Sequence, residues 1–226
     1  MPEGWIAIET SGDQASAAVS RAGGEVIEEV ITGTRRHAGE LVPAIARVLA
    51  HGAGAPMPVR GIVLSDGPGS FTGLRIGATV AKALAHVYGC PLRSASALSV
   101  IARGAWRESA ANESAGCEQR VLAVTDALRG EVYAALYRMG PSRVEVLRPP
   151  SVLPAAALAD WPAPDIRATS RPLASALLDL LEVEGGTVQI PSLETWEPEY
   201  GRPAEAQAKW EAAHGRRLPD SSGTAR

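Results

Sequence analysis

One stretch, Asp66-Gly67-Pro68-Gly69-Ser70-Phe71-Thr72-Gly73, constrains the chain most. It follows a short apolar run, Gly61 to Ser65, that reads as a buried strand, and it precedes a helix predicted over 72–88. The backbone must therefore pass from sheet to helix through a tight, glycine-rich turn. Pro68 fixes one φ, and Ser70 and Thr72 are natural helix caps. Gly89 and Pro91 end the helix. Two readings of the loop stay open. Its glycines permit close strand-to-helix packing, or Gly67, Gly69, Ser70, Thr72, Gly73 and Arg75 form an anion site at a helix N-terminus. A P-loop is excluded, because Gly73-Leu74-Arg75 stands where Gly-Lys-Ser/Thr is needed. A dinucleotide fingerprint is excluded because Thr72 occupies its third glycine position. Arg75 lies at the positive end of the helix dipole. It either has an acidic partner or anionic ligand there, or is a solvated surface side chain.

The surroundings of this loop suit an α/β chain with small aliphatic packing. Aromatics are only 4% of the 226 residues and alanines number 40, so the core must rest on small side chains. The net charge of -3 gives no global pull toward nucleic acid. Twenty of the 22 basic residues are Arg, which reads as coding bias; Arg35-Arg36 and Arg216-Arg217 are only short basic pairs. Cys90 and Cys117 have no CxxC spacing, and no two of His37, His51, His86 and His214 lie within five residues. Neither a disulfide framework nor a metal pair is predicted. No apolar run reaches membrane-spanning length, and no secretory leader is read at the start, so a cytoplasmic protein without membrane contact is expected.

Before the loop, Trp5–Ile8, Ala15–Ser20 and Glu25–Ile31 read as three strands in an antiparallel meander. A helix is predicted over 40–50, its start held near Gly39 or Glu40 by Pro43 and its end set by His51-Gly52-Ala53-Gly54. After Ser94 come a helix over 96–107, a polar loop over 108–119, a hairpin of 121–126 with 131–137, a further run at 144–147, a proline-rich segment and a helix over 173–182. The order βββαβα suits a ribonuclease-H-like lobe better than a Rossmann sheet. The expected division is a first lobe at 1–100 carrying the glycine loop and two helices, a smaller lobe at 101–214 and a mobile tail at 215–226. On the two helices, Leu41, Val42, Ile45 and Ala46, and Leu74, Gly77, Ala78, Ala81 and Ala85, are candidate partner-binding positions. Gly77, Ala81 and Ala85 form a small-residue row that lets another helix approach closely.

The stretch SDGPGSFTGLRIGATVAKALA resembles the signature of the TsaB (YeaZ) family. Trp5-Ile-Ala-Ile-Glu-Thr-Ser11, Arg36-His37-Ala-Gly-Glu-Leu-Val-Pro43, Val124-Thr-Asp-Ala-Leu-Arg-Gly-Glu-Val-Tyr133 and Pro198-Glu-Tyr200-Gly-Arg202-Pro203 resemble further family segments, in order. The resemblance spans about residues 4–210. It implies an α/β, two-lobed ribonuclease-H-like fold of the actin/Hsp70/sugar-kinase superfamily, with mixed sheets flanked by helices. It also implies a non-catalytic subunit that binds a TsaD-like transferase and supports N6-threonylcarbamoylation of the adenosine beside the tRNA anticodon. A TsaE-like ATPase and tRNA would join the complex; without the transferase the same helix surface could pair two copies of this chain, so homodimer and monomer both stay open for the chain alone. The resemblance implies no cofactor of this chain's own, with weak nucleotide binding left open and ATP used by the complex. Where TsaD carries an HxxxH pair, an ungapped placement puts Ala97 and Ile101, neither a metal ligand.

Three departures stand out: Glu9 for an aspartate, Leu128 for an arginine and Gly201 for an apolar residue. The alternative is a small-molecule kinase or ATPase of the same superfamily. It would use Glu9 and Asp126 as paired carboxylates and Gly185-Gly186 as an adenosine loop. Against it, both carboxylates read as surface or turn residues, His37 as a helix cap, and Tyr133 and Tyr200 as half-buried packing residues.

Overall fold

The computed structural model describes residues 2–32, 37–51, 57–112, 117–201 and 213–215. Arg35-Arg36, the Gly52-Ala53-Gly54 stop, Arg202-Pro203, Arg216-Arg217 and the tail beyond Gly215 lie outside the described residues. The opening meander forms as expected. β1 (Trp5–Glu9) pairs antiparallel with β2 (Ala15–Ser20), and β2 with β3 (Val26–Ile31). β1 also pairs in parallel with β4 (Gly61–Ser65), and β4 in parallel with β5 (Leu92–Ala95). A two-residue β10 (Val188–Gln189) completes the first sheet in the order β10-β5-β4-β1-β2-β3. β1 and β4 sit inside this sheet, and every residue of β4 is buried. This explains their unbroken apolar runs.

Two helices cover the outer face of that sheet. α2 (Phe71–Tyr88) is capped by the Ser70 hydroxyl, which accepts from the Gly73 N–H at 3.2 Å, and ends on left-handed Gly89. α1 (His37–Ala50) begins earlier than expected and holds Pro43 within it. Pro43 faces solvent, so the amide it lacks is missing only from the exposed side.

The second sheet has the order β8-β7-β6-β9, made of β6 (Gln119–Asp126), β7 (Glu131–Met139), β8 (Val144–Pro154) and β9 (Ile166–Ala168). β6 and β7 pair antiparallel, while β9 joins β6 in parallel. Between the sheets run α3 (Ala97–Asn112) and α4 (Ala174–Leu180). One apolar cluster joins the two sheets through the helices between them. Ala7, Ala18 and Val63 of the first sheet share a cluster with Leu98 and Ile101 of α3, Val121 and Ala135 of the second sheet, and Leu177 of α4. Ile6, Ile8, Ile62, Leu41, Ile45 and Ala81 fill the opposite face of the first sheet.

The arrangement is a two-sheet α/β fold of the ribonuclease-H-like, actin-like kind. The expected boundary at residue 100 falls inside α3, and α4 and β10 return to the first sheet. Three strands went unread in the sequence, β5, β9 and β10. Each is four residues or fewer, and only a neighbouring strand makes it extended.

Candidate functional site

The glycine loop closes on this chain's own backbone. A Cβ on Gly67 would strike the Glu199 carbonyl, one on Gly69 the Ser11 carbonyl, and one on Gly73 the Thr10 carbonyl. The Ser70 N–H donates to the Ser11 carbonyl at 2.7 Å. These contacts account for the glycines by packing. Thr72 is exposed. Arg75 is exposed too, and its guanidinium stacks 4.7 Å above the Phe71 ring rather than on a carboxylate. Phe71 in turn meets Tyr200 at 4.5 Å between ring centroids, and the Tyr200 hydroxyl donates to Glu197 Oε2 at 3.2 Å. The 196–201 segment thus straps over the loop, with the Glu199 N–H donating to the Asp66 carbonyl at 2.7 Å. Tyr133 and Pro68 both press on Gly201, whose left-handed φ of 71° suits the departure seen in the sequence.

Buried polar side chains gather beneath the loop. Glu9 is wholly buried. Its Oε1 accepts from both the N–H and the hydroxyl of Ser11 at 2.6 Å, while its Oε2 has no partner. Burial raises its pKa, against the lowering effect of Ser11 and Ser65. Burial likewise pushes Asp66 up to about 6, with Ser94 opposing and the Glu199 charge adding to the rise. Tyr137, the largest wholly buried side chain, is pushed up to about 12 by burial, with Ser96 opposing and the Asp66 charge adding to the rise. Asp66 and Tyr137 were not singled out in the sequence. The position of Asp66 at the carboxyl end of a parallel strand was the available signal.

The two carboxylates of the kinase reading serve separate turns. Glu9 holds the 9–11 turn, and the Asp126 Oδ1 accepts from the Leu128 N–H at 2.8 Å in the β6–β7 hairpin. Gly185 and Gly186 pack against the Val144 and Leu180 carbonyls. Ala97 and Ile101 are core residues of α3, 1% and 2% exposed. Among the described residues, no group of three or more His, Cys, Asp or Glu is placed to hold a metal ion. His37 is the first residue of α1.

The helix faces divide differently from the sequence expectation. Leu41, Ile45, Leu74, Gly77, Ala78, Ala81 and Ala85 all face this chain's own core, and Ala81 is wholly buried. The row Gly77, Ala81, Ala85 is a correction: it serves the helix-to-sheet contact, and a Cβ on Gly77 would meet the Thr10 hydroxyl. Small-residue spacing marks a close approach without saying to what. Val42 and Ala46, by contrast, are exposed on α1, Val42 by 54%. On α2, Ile76, Val80 and Leu84 are half-buried, Ala83 is exposed and Val87 is 76% exposed. At 3.6 residues per turn these α2 positions fall on one flank of the helix. The opposite flank carries Arg75 and Lys82, the latter above Trp196. An open apolar strip is left across the two helices.

The family model TsaD, tRNA N6-adenosine threonylcarbamoyltransferase, matches residues 18–183. The chain belongs to this family, within its TsaB/YeaZ group. It is 36% identical over 104 residues to the tRNA threonylcarbamoyladenosine biosynthesis protein TsaB of Escherichia coli, a stretch covering 46% of this chain and 42% of that protein. It is 31% identical over 156 residues to TsaB of Bacillus subtilis, covering 69% of this chain and 63% of the relative. The matched stretches thus span less than two thirds of either relative. The structure of YeaZ from Pseudomonas aeruginosa superimposes with a TM-score of 0.72 at 26% identity, over 88% of this chain and all of that one. The TsaB/YeaZ likeness thus extends from the signature to the whole two-sheet architecture, and the TsaD family supplies the fold. Among the described residues no helix is long and apolar enough to cross a membrane.

Proposed function

We propose that this chain is a non-catalytic subunit that docks a TsaD-family transferase and supports threonylcarbamoylation of tRNA. The observation that carries the reading is the apolar strip of Val42, Ala46, Ile76, Val80, Leu84 and Val87, open on two adjacent helices whose other faces are packed on their own sheet. Such a strip gains free energy when a matching helix pair covers it, at about 25 cal/mol per Å² of apolar area. Ala97 and Ile101, apolar where TsaD carries its histidines, support a role without metal chemistry of its own. In cells, a TsaE-like ATPase and tRNA join the complex, and the same strip pairs two copies of this chain when the transferase is absent.

Val42→Glu with Val87→Glu tests this directly. Both positions are exposed, so the fold should keep its stability to within about 0.5 kcal/mol. Two charges in the contact should weaken binding to the TsaD-family subunit of the same organism at least tenfold by calorimetry. Unchanged binding would remove this strip from the interface. Ala81→Arg is not a usable probe, because it forces a charge into the core.

A further inference from the structure

The β6–β7 hairpin turns through Leu128, Arg129 and Gly130, whose φ values are 63°, 57° and 79°. Three successive residues with positive φ make a tight turn, closed by the Glu131 N–H donating to the Leu128 carbonyl at 3.1 Å. Glycine adopts this freely, but in a leucine or an arginine the Cβ crowds the following carbonyl. Asn, Asp and Gly are the usual residues of such turns. Here the strain is held in place by the Asp126 carboxylate on the Leu128 N–H and by the Ala127 N–H donating to the Glu131 carbonyl at 3.0 Å.

The strained side chains do nothing for their own fold. Leu128 is 69% exposed. Arg129 is exposed and holds no carboxylate among the described residues. Non-glycine residues kept in this conformation by their surroundings are a mark of a functional surface. We propose that the tip is a preorganised docking probe for a protein: Leu128 enters an apolar pocket and Arg129 pairs with a carboxylate on its rim. A nucleic-acid backbone is disfavoured, because Asp126 and Glu131 flank the tip with negative charge. The base of the hairpin lies beside the glycine loop that leads into α2. Tyr133, at the base of the hairpin, packs on Gly201, which also touches Pro68 of the glycine loop. The tip therefore adds a contact beyond the α1–α2 strip. The inference rests on the proposed docking to a TsaD-family subunit, which is the probe to use.

Leu128→Asn and Arg129→Asn separate strain from recognition, because Asn tolerates the left-handed region. Each variant should raise the melting temperature, by about 2–4 °C, while weakening binding to the purified TsaD-family subunit about tenfold or more. Arg129→Lys, which keeps the charge, should bind more tightly than Arg129→Asn. Raised melting temperatures with unchanged binding would overturn the proposal, and so would lowered ones, since the turn would then not be strained. Loss of self-association alone would assign the tip to a second copy of this chain and overturn it as well. If the wild-type chain fails to bind, the proposed function falls and this inference with it. If the wild type binds and the tip variants bind equally well, only this inference falls.

Discussion

Asp66 shows what a single half-buried carboxyl does in this fold. Burial and the neighbouring Glu199 push it up to about 6 from an ordinary 3.8. The folded state therefore holds its proton more tightly than the unfolded chain does. The stabilising contribution is complete below about 4 and is lost as pH rises through about 6. The full loss is at most about 3 kcal/mol. Asp66→Asn removes the titration while leaving an acceptor for Ser94. Urea unfolding should show the variant equal to wild type near pH 4 and more stable at pH 7; a gap that does not widen with pH would contradict the assignment. The glycines of the loop were legible at this scale, but their purpose was not. The spacing allowed an anion site, whereas the Thr10, Ser11 and Glu199 carbonyls that fill the space come from distant segments. The same holds for Arg75, whose position promised a carboxylate and whose neighbour is an aromatic ring.

Helices and strands with strong local signals were readable; those imposed by neighbours were not. The run from β4 through the glycine loop into α2, and the β6–β7 hairpin, carry their own caps, turns and periodicities. β5, β9 and β10 carry none. Nor does any local signal tie α3 to α4. Arg103 of α3 is 4% exposed, donates to Asp179 of α4 at 2.5 Å and to the Gly140 carbonyl at 2.6 Å, and stacks 4.5 Å above Trp106. Its partner lies 76 residues away in the chain. Removing one member of a buried pair strands the other charge. Asp179→Ala should therefore cost about 3–5 kcal/mol in chemical denaturation. A joint Arg103→Met, Asp179→Leu change should cost much less, and equal losses would show that the pair itself is not what matters. The outward apolar strip was legible only in part. Val42 and Ala46 were named in the sequence, but the α2 half was sought on the ridge that turned out to face inward.

At the scale of the whole molecule, one apolar cluster packs both sheets together through α3 and α4. The α1–α2 strip and the strained hairpin tip are two exposed features of the molecule, and the hairpin base packs beside the glycine loop that leads into α2. The architecture matches that of YeaZ from Pseudomonas aeruginosa over the full length of that chain. Ala97 and Ile101 are buried core positions of α3. The role proposed for the chain is to hold a partner rather than to supply chemistry of its own. The measurement that tests this most directly is a reconstitution: purified TsaD-family and TsaE-like subunits, tRNA, ATP and the threonylcarbamoyl donor, assayed with and without this chain. The account predicts modified tRNA only when this chain and the TsaD-family subunit are both present, and none from this chain without that subunit. Modification by this chain in the absence of the TsaD-family subunit, or full activity without this chain, would contradict it.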